Sequence, residues 1–218
     1  MDEGISPEAM QEFGISYYWL DSYIIIPHRN SQGQLIGIRR RSLKTEDIEG
    51  GCKYMPLILE GRTYTHPLGL NLYGLYECKE AIKKHHKAVI VESEKSCLLS
   101  KTYYGEDSFT VATCGFNISQ AQIDLLLELG VNEIFLAMDR DYFLPDYENY
   151  DENDPKRKAA QRYADRINSL AAKLSPYFTV YILYDYGNLL DNKDSPFDKG
   201  KEVLEELMRQ KILYIQEE

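Results

Sequence analysis

The chain has 218 residues, of which 44% are hydrophobic and 28% charged, which is ordinary for a globular protein of one large or two small domains. No apolar run reaches the length of a membrane-spanning helix, and the acidic start is unlike a secretory signal, so we expect a cytoplasmic protein. Four scattered cysteines without a CxxC pair argue against a zinc finger and for free thiols. The net charge of −10 argues against a uniformly basic nucleic-acid coat.

The first part of the chain, residues 1–86, predicts a small α+β domain. Ser6 and Pro7 are typical of a helix start, because serine caps a helix and proline suits its first turn. The turn sequence NSQG between two apolar segments predicts a β-hairpin. In chain order, we expect a helix over 6–14, hairpin strands at 23–27 and 35–40, irregular chain over 42–70 and a helix over 72–85.

The remainder, residues 87–218, predicts a second domain of α/β class. Apolar strand-like runs alternate with helical patterns, which is typical of a mostly parallel sheet flanked by helices. The expected strands lie at 88–91, 108–114, 133–138 and 178–184, and the expected helices at 93–104, 119–129, 155–174 and about 199–210. We therefore predict a four-stranded, mostly parallel sheet, with the final segment KILYI as a candidate terminal strand.

Three acidic residues follow the ends of predicted strands. Glu92 comes directly after the first strand of the second domain, and Asp139 directly after its third. Asp141 lies two residues further, so an extended backbone points it the same way as Asp139. Ligands of open parallel sheets bind beyond the carboxyl ends of the strands, and clustered carboxylates suit Mg²⁺. The alternative is that these acids only begin loops or cap the next helix.

The same acids carry a resemblance to a known family. VESEKS (91–96) followed by MDRDY (138–142) resembles the TOPRIM signature, which has a glutamate after one strand and a DxD after a later one. Other stretches resemble DnaG-type DNA primases, and the phage-type primases most of all. These stretches are IIIPHRNSQGQLIGIRRR (24–41), KYM (53–55), LYGLYECKEAI (72–82), TCGFNISQAQIDLLL (113–127) and LLDNKDSPFDKGKEV (189–203).

The resemblance implies the catalytic core of a primase, which makes short RNA primers with Mg²⁺ or Mn²⁺. It implies that Glu92, Asp139 and Asp141 are catalytic residues and metal ligands. It also implies that Asp194 serves a second metal or the nucleotide triphosphate. Asp198 is a candidate metal ligand as well, although SPFD (195–198) also fits a capping box.

Nucleotide or template contacts are also implied by the resemblance, at Arg39, Arg41, Lys53, Asn71 and Lys95. Arginine suits phosphate because its guanidinium presents a planar fork of donors. In a strand, Arg39 and Arg41 share one face, and Arg40 lies on the other. The alternative for the arginines is a solvated edge strand guarded by charge, and for Lys95 an ordinary surface lysine.

The implied partners are a single-stranded DNA template, ribonucleoside triphosphates and a replicative helicase, the last through regions that the sequence does not contain. The sequence departs from many primases at two positions, where Ser93 replaces a glycine and Ser96 stands in place of an aspartate. Two alternatives stay open at this point. One is a TOPRIM nuclease that uses the same acids to activate water, and the other is an inactive module that binds a partner.

Overall fold

The N-terminal part of the chain forms an antiparallel sheet in the computed structural model, which describes residues 3–142 and 153–216. Its strands, in spatial order, are β1 (Ser16–Tyr18), β2 (Tyr23–Arg29), β3 (Leu35–Ser42) and β4 (Tyr54–Pro56). The predicted hairpin is the β2–β3 pair. The smaller elements of this part are α1 (Pro7–Glu12), α2 (Thr45–Glu49), and the paired strands β5 (Ile58–Leu59) and β6 (Arg62–Thr63).

A second, larger sheet follows, in which strands and helices alternate. Its elements are α3 (Leu75–His85), β7 (Lys87–Val91), α4 (Glu94–Tyr104), β8 (Thr110–Ala112), α5 (Gln120–Glu128), β9 (Glu133–Leu136), α6 (Pro155–Leu174), β10 (Thr179–Ile182), α7 (Lys201–Arg209) and β11 (Ile212–Leu213). The spatial order is β11–β10–β9–β7–β8, so β7 and β9 are adjacent in the sheet interior.

The prediction of an α/β fold with a mostly parallel sheet is confirmed, but the number of strands was wrong. Strands β7, β8, β9 and β10 are parallel, as expected, and β11 adds a fifth strand antiparallel to β10. The two residues of β11 are both exposed, so no buried apolar run marks them as a strand. Antiparallel edge strands of this kind are common on otherwise parallel sheets.

The capping chemistry of the helices follows the sequence closely. Ser119 caps α5 in a capping box with Gln122, and Asp154 caps α6 with Pro155 at its first position. The structure therefore begins and ends α6 at the predicted residues.

Both parts of the chain contribute to one continuous apolar core. Phe13 and Leu72 from the N-terminal part are fully buried together with Ile90 and Leu136 from the parallel sheet. Tyr73 and Ala112 exchange two backbone hydrogen bonds of 2.9 Å, which join the chain before α3 to strand β8. The division into domains at 86/87 stays a prediction.

Within the described ranges, no helix is long and apolar enough to cross a membrane. The stretch over 139–154 is rich in acidic residues, and most of it lies outside the described residues.

Candidate metal and phosphate site

Two of the predicted acids meet at the carboxyl edge of the parallel sheet. Strands β7 and β9 run side by side, and the Ala137 N–H donates to the Ile90 carbonyl at 2.9 Å just past the ladder. Glu92 follows β7, and its Oε1 accepts a hydrogen bond from the Asp139 backbone N–H at 3.2 Å. The position beyond adjacent strands thus brings both carboxylates to one point, as the sequence predicted.

Asp139 has a strongly raised pKa. Burial, and then the neighbouring charges of Glu92 and Asp198, raise the pKa of Asp139 to about 7. Burial also raises the pKa of Glu92. Asp139 Oδ1 is buried and accepts no hydrogen bond from the described part of the chain. The neighbouring cations do not fully offset the burial and mutual repulsion of these two carboxylates, because the pKa of each is raised. A divalent cation bound between them would supply the missing positive charge.

Asp141 lies at the outer side of the same edge. Its carboxylate pairs with the Lys193 ammonium and, at 3.5 Å, with the Arg166 guanidinium. The Asp141 charge also acts to raise the pKa of Glu92, so Glu92 lies within electrostatic reach of both aspartates. Asp141 is therefore the outlying and more exposed acid of the predicted triad, since its carboxylate is paired with these two cations.

Arg166 and Lys193 were missed by the sequence reasoning. Arg166 comes from α6 and Lys193 from the loop before α7, and both lower the pKa of Glu92. Arg166 gives no sequence signal beyond its place on an amphipathic helix. Lys193 lies within the late segment 189–203 that carried the primase resemblance, which was the available pointer to it.

Asp194 and Asp198 enter the site in different ways. The Asp194 carbonyl accepts a hydrogen bond from the Arg140 backbone N–H at 2.8 Å. Its carboxylate pairs with Lys199 at 3.2 Å and accepts a hydrogen bond from the Asp191 backbone N–H at 2.9 Å. Asp198 Oδ2 accepts from the Ser195 N–H at 2.9 Å, but this bond closes a turn and caps no helix, because α7 begins at Lys201 with Gly200 as its N-cap. The charge of Asp198 also raises the pKa of Asp139, so this carboxylate lies within electrostatic reach of the acids. The metal roles of both aspartates stay predictions.

A group of cations lies beside Asp198, opposite the acids. Lys95 Nζ is 2.8 Å from Asp198 Oδ1, and Lys53 lowers the pKa of Asp139. Burial, and then the Arg41 charge, lower the pKa of Lys53, as expected for a crowded positive site. We call Arg41, Lys53 and Lys95 the cationic cluster.

The cationic cluster has one acidic partner outside the metal site. Arg41 makes two hydrogen bonds to the Glu3 carboxylate, at 2.8 and 2.6 Å, and Lys95 lies 4.0 Å from it. Together with Asp198, two acids thus face three cations, and the cluster keeps a net positive charge for an anionic ligand such as a phosphate.

Arg39 and Asn71, the other predicted nucleotide or template contacts, are engaged elsewhere. Arg39 shares a face with Arg41, as predicted, but its Nη1 donates to the buried Glu94 at 2.5 Å. Asn71 is buried, and its side chain donates to the Arg29 carbonyl at 3.0 Å. Their nucleotide or template roles stay predictions. To bind a nucleotide or template, Arg39 would have to release Glu94, and Asn71 would have to release the Arg29 carbonyl.

Arg140, the middle residue of the triplet, supports the loop rather than the acids. Its guanidinium is buried and donates to Asp185 Oδ2 at 3.0 Å and to the Leu190 carbonyl. Asp185 in turn accepts from the backbone N–H groups of Leu189 and Leu190, at 2.9 and 3.0 Å. This buried network fixes the backbone on which Asp139 and Asp141 lie.

Ser96, which stands where many primases have an aspartate, also has a supporting role. Its hydroxyl donates to Ser195 Oγ at 2.8 Å, and both side chains are buried. The bond attaches the turn that carries Asp198 to helix α4. A serine here therefore positions another acid, where an aspartate would itself add a carboxylate.

Comparison with curated proteins finds relatives among phage-derived proteins and primases, while no family model matches the chain. The SPbeta prophage-derived uncharacterized protein YorJ of Bacillus subtilis is 48% identical over 214 residues, which cover 97% of this chain and 56% of that protein. The DNA primase of Chlamydia muridarum is 29% identical over 157 residues, covering 63% of this chain and 25% of the primase. The chain thus spans about half of the first relative and a quarter of the second.

Solved structures show the same fold. The Aquifex aeolicus primase, solved with its zinc-binding and RNA polymerase domains, superposes with a TM-score of 0.66 at 21% identity over 98% of this chain and 55% of that chain. A DnaG primase catalytic domain bound to single-stranded DNA superposes with a TM-score of 0.64 at 19% identity, over 97% and 70% of the two chains. The chain therefore resembles DnaG-type primase catalytic cores in sequence and has their fold.

The raised pKa of Asp139 predicts an unusual effect of removing its charge. A carboxyl with a pKa of about 7 in the folded state and about 4 when unfolded binds a proton more tightly in the folded protein. The metal-free protein therefore loses stability as the pH rises through that interval. We expect Asp139→Asn to raise the free energy of unfolding by about 1–3 kcal/mol at pH 8 and to change it little at pH 4.

Urea unfolding in the presence of a chelator measures this difference. Asp141→Asn is the matched control, because Asp141 is exposed and already ion-paired, and it should change stability by less than about 1 kcal/mol at either pH. A loss of stability at pH 8 in Asp139→Asn would show that the carboxylate is already compensated without a metal.

Proposed function

We propose that this chain, with the fold of a DnaG-type primase catalytic core, synthesises short RNA primers on single-stranded DNA in the presence of Mg²⁺ or Mn²⁺. The observation that carries the proposal is the meeting of Glu92 and Asp139 at one sheet edge, with a cationic cluster opposite them. The sequence and structural likeness to primases supports the same activity.

The acids fit a hard divalent cation. Glu92, Asp139 and Asp141 offer carboxylate oxygens only, the donors that Mg²⁺ and Mn²⁺ prefer, and Asp139 Oδ1 is buried without a hydrogen bond. The bound ion would stabilise charge on the attacking and leaving oxygens of a phosphoryl transfer. We propose Asp194 as the residue that serves a second ion or the triphosphate, which it would meet at the same edge.

The reaction forms one bond and breaks one. The 3′-hydroxyl oxygen of a ribonucleotide attacks the α-phosphorus of the incoming triphosphate, and the bond to the β-phosphate breaks, so that pyrophosphate leaves. We propose Glu92 either as a ligand of the metal or as the general base that accepts the hydroxyl proton; burial raises the pKa of its carboxyl, which is the direction that suits a base.

The cationic cluster is suited to the triphosphate. Lys53 and Lys95 lie near Asp139 and Asp198, so phosphates bound to these lysines would be adjacent to the metal. Asp198 holds Lys95 at 2.8 Å and so keeps its ammonium at the edge of the site. Arg41 adds a fork of donors, which binds phosphate once it exchanges its bonds to Glu3.

The proposal is tested by incubating the full chain with single-stranded template, labelled ribonucleoside triphosphates and Mg²⁺ or Mn²⁺. We expect short RNA products from the wild type and a loss of at least a hundredfold in Asp139→Ala, because transition-state charge loses its metal. Asp124→Ala is the control, since Asp124 is exposed on α5 and, within the described residues, its carboxylate accepts a hydrogen bond only from Gln120 of the same helix. Degradation of the template without synthesis would instead identify a nuclease, and neither activity would identify a partner-binding module.

A second prediction concerns Lys95. Replacing it by alanine removes one phosphate-facing cation and leaves Asp198 without its ion pair. We expect KM for the ribonucleotide to rise about tenfold, which is roughly 1.4 kcal/mol of lost binding, while Mn²⁺ affinity is unchanged or increased. Lys44→Ala is the matched control, because Lys44 is an exposed lysine paired with Asp21. An unchanged KM in Lys95→Ala would remove the cationic cluster from nucleotide binding.

A further inference from the structure

A second group of metal-binding side chains lies inside the protein, away from solvent. We propose that His28, Glu94 and Cys114 form a binding site for a soft or borderline divalent metal such as Zn²⁺. One ligand atom from each residue lies within 4.8 Å of the others, and His28 and Glu94 are almost fully buried. The proposal does not rest on primer synthesis, because these residues are separate from the three acids of the candidate catalytic site.

The three residues come from three different parts of the fold. His28 is near the end of β2, Glu94 is the first residue of α4, and Cys114 follows β8. The His28 Nε2 atom lies 3.3 Å from Glu94 Oε1. A bound metal would therefore connect the N-terminal antiparallel sheet to two elements of the parallel sheet.

The backbone at Cys114 is in a conformation that side chains with a Cβ rarely adopt. Its φ is +57°, in the left-handed region, although the residue is not glycine. The preceding Thr113 holds this turn, since its hydroxyl lies 3.2 Å from the Val91 carbonyl and 2.5 Å from the Gly115 carbonyl. Such conformations concentrate at functional sites, and here the turn brings the thiol to the histidine and the glutamate.

The donor set selects the class of metal. Imidazole nitrogen, thiolate sulfur and carboxylate oxygen are all zinc ligands, whereas Mg²⁺ requires oxygen ligands. The acids at the sheet edge offer oxygen alone. The two sites should therefore bind different metals, with a thiolate ligand in the buried one.

A further histidine lies next to His28. The His66 ring centroid is 4.8 Å from that of His28, and His66 Nε2 is buried without a hydrogen bond from the described residues. Gly37 makes room for this ring, because a Cβ at position 37 would lie 2.2 Å from His66 Nδ1. A structural zinc site has four protein ligands. His66 lies outside the group of ligand atoms within 4.8 Å, so its ring would have to move toward the other three residues to become the fourth ligand.

Arg39 competes with the metal for Glu94. Its Nη1 donates to Glu94 Oε1 at 2.5 Å, so the guanidinium compensates the buried carboxylate while no metal is bound. Metal binding displaces Arg39 from this oxygen and releases the Cys114 proton to solvent. Removing the guanidinium should therefore strengthen metal binding, whereas a site held together only by the Arg39–Glu94 pair would lose stability and gain no affinity.

Co²⁺ is the probe for this site, because a cobalt–thiolate bond produces a charge-transfer absorption that oxygen ligands do not. We expect the chelator-treated full chain to bind one equivalent of Co²⁺ with this absorption and to lose it on addition of Zn²⁺. The absorption should vanish in Cys114→Ser and persist in Cys52→Ser, the matched control at a cysteine outside the cluster. It should also persist in Asp139→Asn, which alters only the site at the sheet edge.

Arg39→Met distinguishes a metal site from a buried ion pair in a protein that keeps all its ligands. We expect its Co²⁺ affinity to rise at least threefold over the wild type. The proposal is overturned if the wild type gives no thiolate absorption, if Cys114→Ser retains it, or if Arg39→Met binds Co²⁺ no more tightly. Should Cys114→Ser fail to fold, the wild-type absorption and the affinity of Arg39→Met decide the matter together.

Discussion

The approach of Glu92 and Asp139 across two adjacent parallel strands is the constraint on which the rest of the site depends. Strands β7 and β9 lie in the interior of the sheet, so their ladder fixes the two carboxylates with little freedom to separate. Their mutual repulsion and burial favour the neutral form unless a cation joins them. The protein accepts this electrostatic cost at the point where a metal can relieve it, as functional sites commonly do.

The surrounding elements arrange charge around that pair. Lys193 and Arg166 hold Asp141 on one side, and the cationic cluster of Arg41, Lys53 and Lys95 lies on the other. The Ser96–Ser195 bond ties helix α4 to the turn that carries Asp198 and so links the two sides. The N-terminal sheet is thus part of the site, since it supplies Arg41, while Lys53 lies just before strand β4.

Features set by local pattern could be predicted from the sequence. The alternation of apolar strands and amphipathic helices predicted the parallel sheet, and capping residues predicted the bounds of α6. Glu92 and Asp139 could be paired in advance because adjacent parallel strands end at the same edge. The short β11 lies in the KILYI segment, which was a candidate strand, but its exposed residues gave no buried run that would fix it as a fifth strand of the sheet.

Features set by side-chain direction could not be predicted in the same way. The alternation of side chains along a strand predicted that Arg39 and Arg41 share one face. It did not predict that Arg39 binds Glu94 and Arg41 binds Glu3, because these partners are set by tertiary packing. His28 and Glu94 are 66 positions apart in the chain, so no motif marks their contact. The absence of CxxC pairs excludes only metal sites whose ligands are close in sequence. Cys114 is brought to His28 and Glu94 by the fold.

Anomalous diffraction from crystals soaked in Mn²⁺ would show whether Glu92 and Asp139 together hold a divalent cation. We expect an anomalous peak within bonding distance of carboxylate oxygens from both residues, at about 2.0–2.2 Å if the ion binds as Mg²⁺ would. Peaks confined to surface acids such as Asp191, with none between Glu92 and Asp139, would contradict it.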